Sequence, residues 1–341
     1  MAGSTIKDVA REAGVSVGSV SRVLNDLPVS ERLRQKVEAA VADLNYEPNG
    51  LAQSMRTKST GAVGCFVPDI SNPLYGAILN AVDARLRQRG LMLLLASSRG
   101  RNELDVIAEF KRRRVDGLIF SPGSETDPRL LEALRRFGAP TVIQGLEFPE
   151  EFSSVRVDYR AGTRGATEYL LGLGHRRIAL LTPLATLWPG RERIAGFREA
   201  FERLGIEPDD AQVRPQNLEL DPSHEVAGLL ASKSPPTALI VLGTRILAGG
   251  LRAIREHGLK VPDDISVISI GDNEWVASHD PAITTLRWSA DAVASALVEL
   301  LRARMEDHND TPQQILVPTD LVLRDSCAPP TAGAVTPTPE P

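Results

Sequence analysis

Val17, Gly18, Ser19 and Arg22 are spaced so that one helix would carry them on its outward face, opposite Val20, Val23 and Leu24. The chemistry open to such a face is hydrogen bonding and methyl contact along a flat edge. An arginine pairs bidentately with the two acceptors of guanine. A helix held by a neighbour can lie in the DNA major groove with its N-terminal residues at base edges. On these residues alone an ordinary helical hairpin is the competing reading.

A second set of chemically capable residues follows apolar runs. Asp69, Ser71, Asn72 and Tyr75 come after the first run, Ser97 and Ser98 after the second, and Ser121 after the third. Arg193, Thr244, Asp272 and Trp275 take corresponding places in the second half. Arg193 could hold a carboxylate, a phosphate or a hydroxyl. Tyr75 and Trp275 could stack on a ring or cover a sugar face. For any one of these, surface turn chemistry is the alternative, and Asn72-Pro73 reads equally as a turn and helix start.

Local signals position the first set. Thr5 is a good N-cap, and Asp8 falls where a carboxylate meets the free amides of a first turn. Val9, Ala10 and Ala13 form the inward stripe, Gly14 permits a left-handed exit, and Ser16 caps the second helix. Ser30 caps a third, with Leu33, Val37, Ala40, Val41 and Leu44 at helical spacing, and the head closes at Tyr46. Residues 49–56 are too few for a stable isolated helix, and Gly50 weakens it further.

Beyond Ser59 the pattern becomes strand–helix alternation. Strands are expected at 62–67, 91–96, 117–120 and 141–144, with helices at 74–89, 103–113 and 128–137. The alternation restarts after Asp158, with helices at 161–171, 192–204, 223–231 and 246–257 and strands at 178–181, 238–241 and 266–270. A late helix, 291–305, can cross back. Apolar strands joined by helices imply parallel sheets covered on both faces. Two such blocks imply an α/β core of two doubly wound lobes, with ligands beyond the carboxyl ends of the strands.

Composition narrows the function classes. The chain has 341 residues and a net charge of −5. Through Thr60 there are eight basic and seven acidic residues, a net of +1, which leaves −6 for the remainder. Charge alone therefore makes no case for nucleic acid. Cys65 and Cys327 are the only cysteines, and five histidines are scattered, so neither a disulfide framework nor a metal cluster is expected. There is no G-x-G-x-x-G, Walker-type loop, G-x-S-x-G or H-E-x-x-H, which argues against an enzyme and against a cofactor. His175 reads as structural. No secretory signal and no apolar run near the roughly 18–20 residues of a membrane span is seen, which points to the cytoplasm and against an exported solute-binding protein.

The combination T-I-K-D-V-A, G-V-S, S-V-S-R-V-L-N, Y-x-P-N and L-A-Q-S-M-R within residues 5–56 resembles the lactose/galactose repressor family of bacterial transcription regulators. So do V-P-D-I-S-N-P at 67–73, R-R-V-D-G-L-I at 113–119, L-G-H-R-R-I-A at 173–179, R-I-A-G-F at 193–197, P-A-I-T-T-L at 281–286 and L-V-L-R-D-S at 321–326. The resemblance spans 5–327. It implies a helix-turn-helix head (1–48), a hinge helix and linker (49–60), and a core resembling that of periplasmic binding proteins (61–327). Lobe 1 would hold about 61–158 plus 288–320, lobe 2 about 159–287 plus 321–327, and 328–341 would be a disordered tail. The implied partners are double-stranded operator DNA, a small-molecule effector such as a sugar or sugar acid, and a second copy of the chain. The implied DNA contacts are Thr5, Ser16, Val17, Gly18, Ser19, Ser21, Arg22, Asn25 and Tyr46 in the head. Asn49, Ala52, Gln53 and Met55 would serve in the hinge, Met55 as a minor-groove wedge where the family usually has Leu. Arg193 matches the family's effector-contacting arginine. Gly145-Leu146, Gly243-Thr244 and Gly271 stand where the family often has acids or amides, which weakens the case for a plain sugar and favours an anionic or partly apolar ligand.

Overall fold

The computed structural model describes residues 4–25, 27–46, 59–98, 102–123, 127–208, 212–216, 223–243, 245–307 and 311–331. It divides into two compact units, Met1–Gly61 and Ala62–Pro341. Asn49, Ala52, Gln53 and Met55 of the expected hinge lie outside the described residues, as do Thr244 and residues 332–341.

The first unit contains α1 (Ile6–Ala13), α2 (Val17–Leu24) and α3 (Glu31–Asp43). The Asp8 carboxylate accepts from the Thr5 amide at 3.0 Å and the Thr5 hydroxyl at 2.6 Å. These bonds hold the Asp8 carboxyl below its ordinary pKa. Gly14, at φ 62°, turns the chain left-handed, and Ser16 accepts from the Ser19 amide at 3.1 Å to start α2. Val9, Val20 and Val37, one from each helix, are fully buried and lock the three together.

The second unit is built on two six-stranded sheets. The first contains β1 (Ala62–Val67), β2 (Met92–Ser97), β3 (Gly117–Phe120), β4 (Thr141–Gln144), β5 (Ser153–Val157) and β11 (Gln314–Val317), in the order β11-β5-β4-β3-β1-β2. The second contains β6 (Ile178–Pro183), β7 (Val213–Gln216), β8 (Ala238–Leu242), β9 (Ser266–Ile270), β10 (Thr284–Arg287) and β12 (Asp320–Val322), in the order β12-β10-β9-β8-β6-β7. Every pairing is parallel except β10 with β12. Both sheets therefore repeat one doubly wound order, with switch points between β1 and β3 and between β6 and β8.

The connecting helices are α4 (Pro73–Arg87), α5 (Glu103–Arg112), α6 (Pro128–Arg135), α7 (Tyr159–Gly172), α8 (Trp188–Glu202), α9 (Ser223–Leu230), α10 (Arg245–Glu256), α11 (Glu274–Ser278) and α12 (Ala290–Glu306). α12 crosses back to the first sheet, where Val293, Leu297 and Leu301 join Val63, Val82 and Val142 in one cluster. α7 and α8 pack closely because Gly196 has no side chain. A Cβ there would meet the Arg160 carbonyl oxygen at 2.1 Å.

The chain passes between the sheets three times, after β5, after β10 and after β11. Two of these passages are tied together. The Asp158 amide donates to the Val317 carbonyl at 2.8 Å, and the Thr319 hydroxyl donates to the Asp158 carbonyl at 3.3 Å.

Strands β5, β7, β10, β11 and β12 were not expected from the sequence. β5 (S-S-V-R-V) mixes polar residues with valines, β7 contains a proline, β10 is threonine-rich, and β11 and β12 are short edge strands. α8 begins at Trp188 rather than at 192, because Pro189 sits in its first turn, where its missing amide costs nothing. Ala328, the first residue of the expected tail, is instead bonded to the core. The Ala328 carbonyl accepts from His175 Nε2 at 2.9 Å, and its amide donates to Ser266 Oγ at 3.0 Å.

His175 is buried, with Nδ1 against the Thr237 hydroxyl at 2.8 Å. A carbonyl can only accept, so the Ala328 contact assigns the proton to Nε2. Burial pulls the His175 pKa below its ordinary 6.5. The neutral ring is thus favoured in the folded core, and its contribution is fully present above about pH 6.5 and lost as pH falls through the lowered value. Thermal melts from about pH 8 to about pH 5 should show the gap between wild type and His175→Gln narrowing as pH drops. A constant gap would mean that His175 titrates normally.

Candidate functional site

The outward face of α2 carries the expected base-reading set. Val17 is 41% exposed, and Gly18 and Arg22 are also exposed. Ser19 is half-buried and shares a hydroxyl contact with Ser16 at 2.9 Å. Arg22 Nη2 donates to the Pro28 carbonyl at 2.8 Å, which aims the guanidinium along the loop after α2 and occupies one of its donors. Asn25 bonds back to Ser21, so both serve the C-terminal end of α2. Thr5 is exposed at the start of α1. Tyr46 packs, half-buried, against the core of the head.

In the second unit a cavity of about 150 Å³ lies at the carboxyl ends of both sheets. Its walls come from the switch points. Asn72 follows β1, Pro122 follows β3, Pro183 ends β6 and Leu242 ends β8. First-turn residues of three helices also line it: Tyr75 of α4, Tyr159 of α7 and Pro189 of α8. Trp288, just ahead of α12, completes that end.

Arg193, on α8, is the one charged residue among the described residues lining this cavity. It is 2% exposed, and its Nε and Nη1 have no hydrogen-bond partner. Its guanidinium lies over the Tyr159 ring, 3.9 Å from the centroid. Burial pulls its pKa below the ordinary guanidinium value, while Tyr159 opposes that shift. Burial raises the pKa of Tyr75 and Tyr159, so both phenols are neutral. Tyr159 is the hub of an aromatic cluster, with Trp288 edge-on at 5.6 Å and Trp188 at 5.9 Å. Arg156 lies over the Trp188 ring at 5.1 Å. Nearby, Glu147 after β4 accepts from Arg191 of α8 at 3.1 Å, an exposed ion pair joining the two sheets' layers.

Of the expected effector residues, the structure brings Asn72, Tyr75 and Arg193 to the cavity. The other expected residues that are described do not line it. Asp69 accepts from the amide and hydroxyl of Ser71 within a turn, at 2.9 and 2.6 Å. Ser97 ends β2 at the sheet edge, and Ser98 donates to the Pro68 carbonyl at 2.6 Å. Ser121 is buried and donates to Gln144 Oε1 at 2.8 Å. Asp272 is paired with Arg324 at 2.9 Å. Trp275, 44% exposed, stands edge-on to His279.

Tyr159, Trp288, Gln144 and Leu146 were missed. Tyr159 and Trp288 follow β5 and β10, so overlooking those strands hid the residues at their ends. An aromatic beside a capping residue, as in Asp158-Tyr159 and Trp288-Ser289, is the signal that could have found them.

A family model described as bacterial regulatory proteins, lacI family, matches residues 5–49, and one described as a periplasmic binding protein-like domain matches residues 167–327. The chain is 30% identical over 332 residues to the HTH-type transcriptional regulator DegA of Bacillus subtilis, covering 96% of this chain and 98% of that protein. It is 30% identical over 329 residues to the ribose operon repressor of Escherichia coli K12, covering 95% and 99% respectively. Among solved structures it is similar to the lac repressor dimer bound to operator and the anti-inducer ONPF. The TM-score there is 0.84 at 29% identity, over 96% of this chain and 100% of that one. It is also similar to the transcriptional regulator CelR–cellobiose complex, with a TM-score of 0.70 at 28% identity, over 95% and 99%.

The three tryptophans give a direct check on the cleft. Trp275 is exposed, Trp188 is buried and Trp288 half-buried. Acrylamide should quench mainly Trp275, and Trp275→Phe should remove most of the readily quenched emission. If quenching is unchanged in that variant, Trp275 is covered rather than exposed.

Proposed function

The chain belongs to the lacI family of bacterial regulatory proteins, and from this premise we propose that it is a repressor whose operator affinity is set by a small molecule held between the two sheets. The observation that carries this reading is the pairing, in one chain, of a capped α2 displaying Arg22 with a cleft holding an unpaired guanidinium. Residues 1–48 would read DNA. Residues 49–60 would form a hinge, with Asn49, Ala52, Gln53 and Met55 in the minor groove. Residues 61–327 would bind effector and dimerise. A side chain wedged between base steps kinks the duplex, and Met is known in that role.

Coupling then follows from geometry. Ligand bound by residues of both sheets changes the angle between them, and two hinges joined through a dimer feel that change as a change in spacing. A ligand shifts the equilibrium only by its differential affinity for the two states, typically about 1–3 kcal/mol. The relatives are regulators, and a cytoplasmic, non-enzymatic role fits them.

Edge strand β2 supports the homodimer. Its sequence is M-L-L-L-A-S, none of its residues is fully buried, and Met92 and Leu95 are 66% and 43% exposed. An unpaired apolar edge is a ready surface for a second copy. Met92→Asp should convert a dimer into a monomer of 36.9 kDa in sedimentation and weaken operator binding with it. A wild type that sediments only as that monomer at micromolar concentration would sink the dimer reading.

Arg22→Ala tests the DNA face. With a duplex selected from a random pool, loss of one bidentate base contact should weaken binding by about 1–3 kcal/mol, roughly ten- to a hundredfold. Binding to random DNA should fall far less. Equal losses on both would reduce Arg22 to a backbone contact.

A further inference from the structure

The cavity is rich in donors and poor in acceptors. Arg193 presents two unpaired nitrogens at 2% exposure. The acceptor oxygen of each of the two amide side chains already takes one hydrogen bond. Asn72 Oδ1 accepts from the Leu74 amide at 3.1 Å, and Gln144 Oε1 accepts from the Ser121 hydroxyl at 2.8 Å. Among the described lining residues there is no aspartate and no glutamate. Asp272, with one oxygen unpaired, lies outside the lining, and its other oxygen is bound by Arg324.

The backbone adds to the same polarity. α4, α7, α8 and α12 all begin at the cavity and run 14 to 17 residues away from it. Each helix start carries partial positive charge. A neutral sugar needs acceptors as well as donors for its hydroxyls, and unpaired hydroxyls are costly when buried. Apart from those two amide oxygens, the described side chains of this lining offer acceptors only on the Tyr75 and Tyr159 hydroxyls. The remaining wall is apolar, made by Leu74, Ile78, Leu146, Val155 and Trp288. At about 150 Å³ the space suits one benzene-sized ring.

We propose that the effector is a small carboxylate carried on a flat apolar body, its anion held by Arg193 and its body packed against Tyr159 and Trp288. The inference rests on the reading of this cleft as the effector site. A planar carboxylate offers two oxygens to the two unpaired nitrogens of one guanidinium.

Matched probes test the proposal on the full-length protein. Phenylacetate, phenylacetamide, ribose and ribose 5-phosphate would be titrated by calorimetry, with tryptophan emission followed in parallel. Phenylacetate should bind roughly ten- to a hundredfold more tightly than phenylacetamide, the factor expected of a charged hydrogen bond. Arg193→Gln should erase that difference, and Trp288→Phe should weaken both aromatic probes. Ribose should be the weakest. Tighter binding of ribose 5-phosphate than of phenylacetate would assign the site to phosphate and overturn the carboxylate. Equal binding of acid and amide, tightest binding by ribose, or no anion binding at about 10 mM, would overturn the ligand class. If phenylacetate binds but neither variant changes its affinity, the cleft assignment itself fails.

Discussion

A guanidinium buried without a carboxylate is the costliest arrangement in the core, and the cleft is organised around it. Arg193 cannot shed its charge at ordinary pH, so the fold must supply compensation. The Tyr159 face supplies part of it, at 3.9 Å. Two nitrogens stay unpaired, and a ligand is the natural partner for them. Replacing a buried charge by apolar residues is often neutral or stabilising, so a charge kept in this state is better explained by binding than by stability.

The topology explains why such a residue can serve both sheets at once. Each sheet brings its switch point to the cavity, and helices start there rather than end there. Arg193 belongs to α8, yet the side chains around its ligand space come from strands on both sides. The passages at Asp158 and Thr319 are bonded to each other, so the two sheets share a seam there. Gly162 lies at that seam, where a Cβ would sit 2.4 Å from the Thr319 hydroxyl oxygen. The Thr319 and Leu286 side chains therefore pack directly onto the Gly162 backbone at this seam.

How much of this was written in the sequence depended on how local the signal was. The head was readable because its determinants are neighbours: Asp8 bonds Thr5, Gly14 turns left-handed, and Ser16 caps α2. The two-sheet core was readable from apolar runs such as β1 and β3. The polar-mixed strands β5 and β10 and the short edges β11 and β12 were not, because none of them shows a continuous apolar run, and with β5 and β10 went Tyr159 and Trp288. The polar residues after strands were a mixed signal. Asn72, Tyr75 and Arg193 reach the cavity, whereas Ser98, Ser121 and Asp272 are consumed by Pro68, Gln144 and Arg324. Residue type cannot distinguish a ligand contact from a satisfied turn, because that depends on which partner the long-range fold supplies.

The threefold passage between the sheets also sets an order on the protein's birth. The three helices of the head are complete by Tyr46 and can fold as soon as that segment leaves the ribosome. Neither sheet can be finished so early. The first waits for β11 at Gln314–Val317 and the second for β12 at Asp320–Val322, each made long after the first strand of its sheet. Until those two strands are made, a finished DNA-reading head is tethered to a core whose sheets each lack an edge, and full control by ligand arrives only once both are in place.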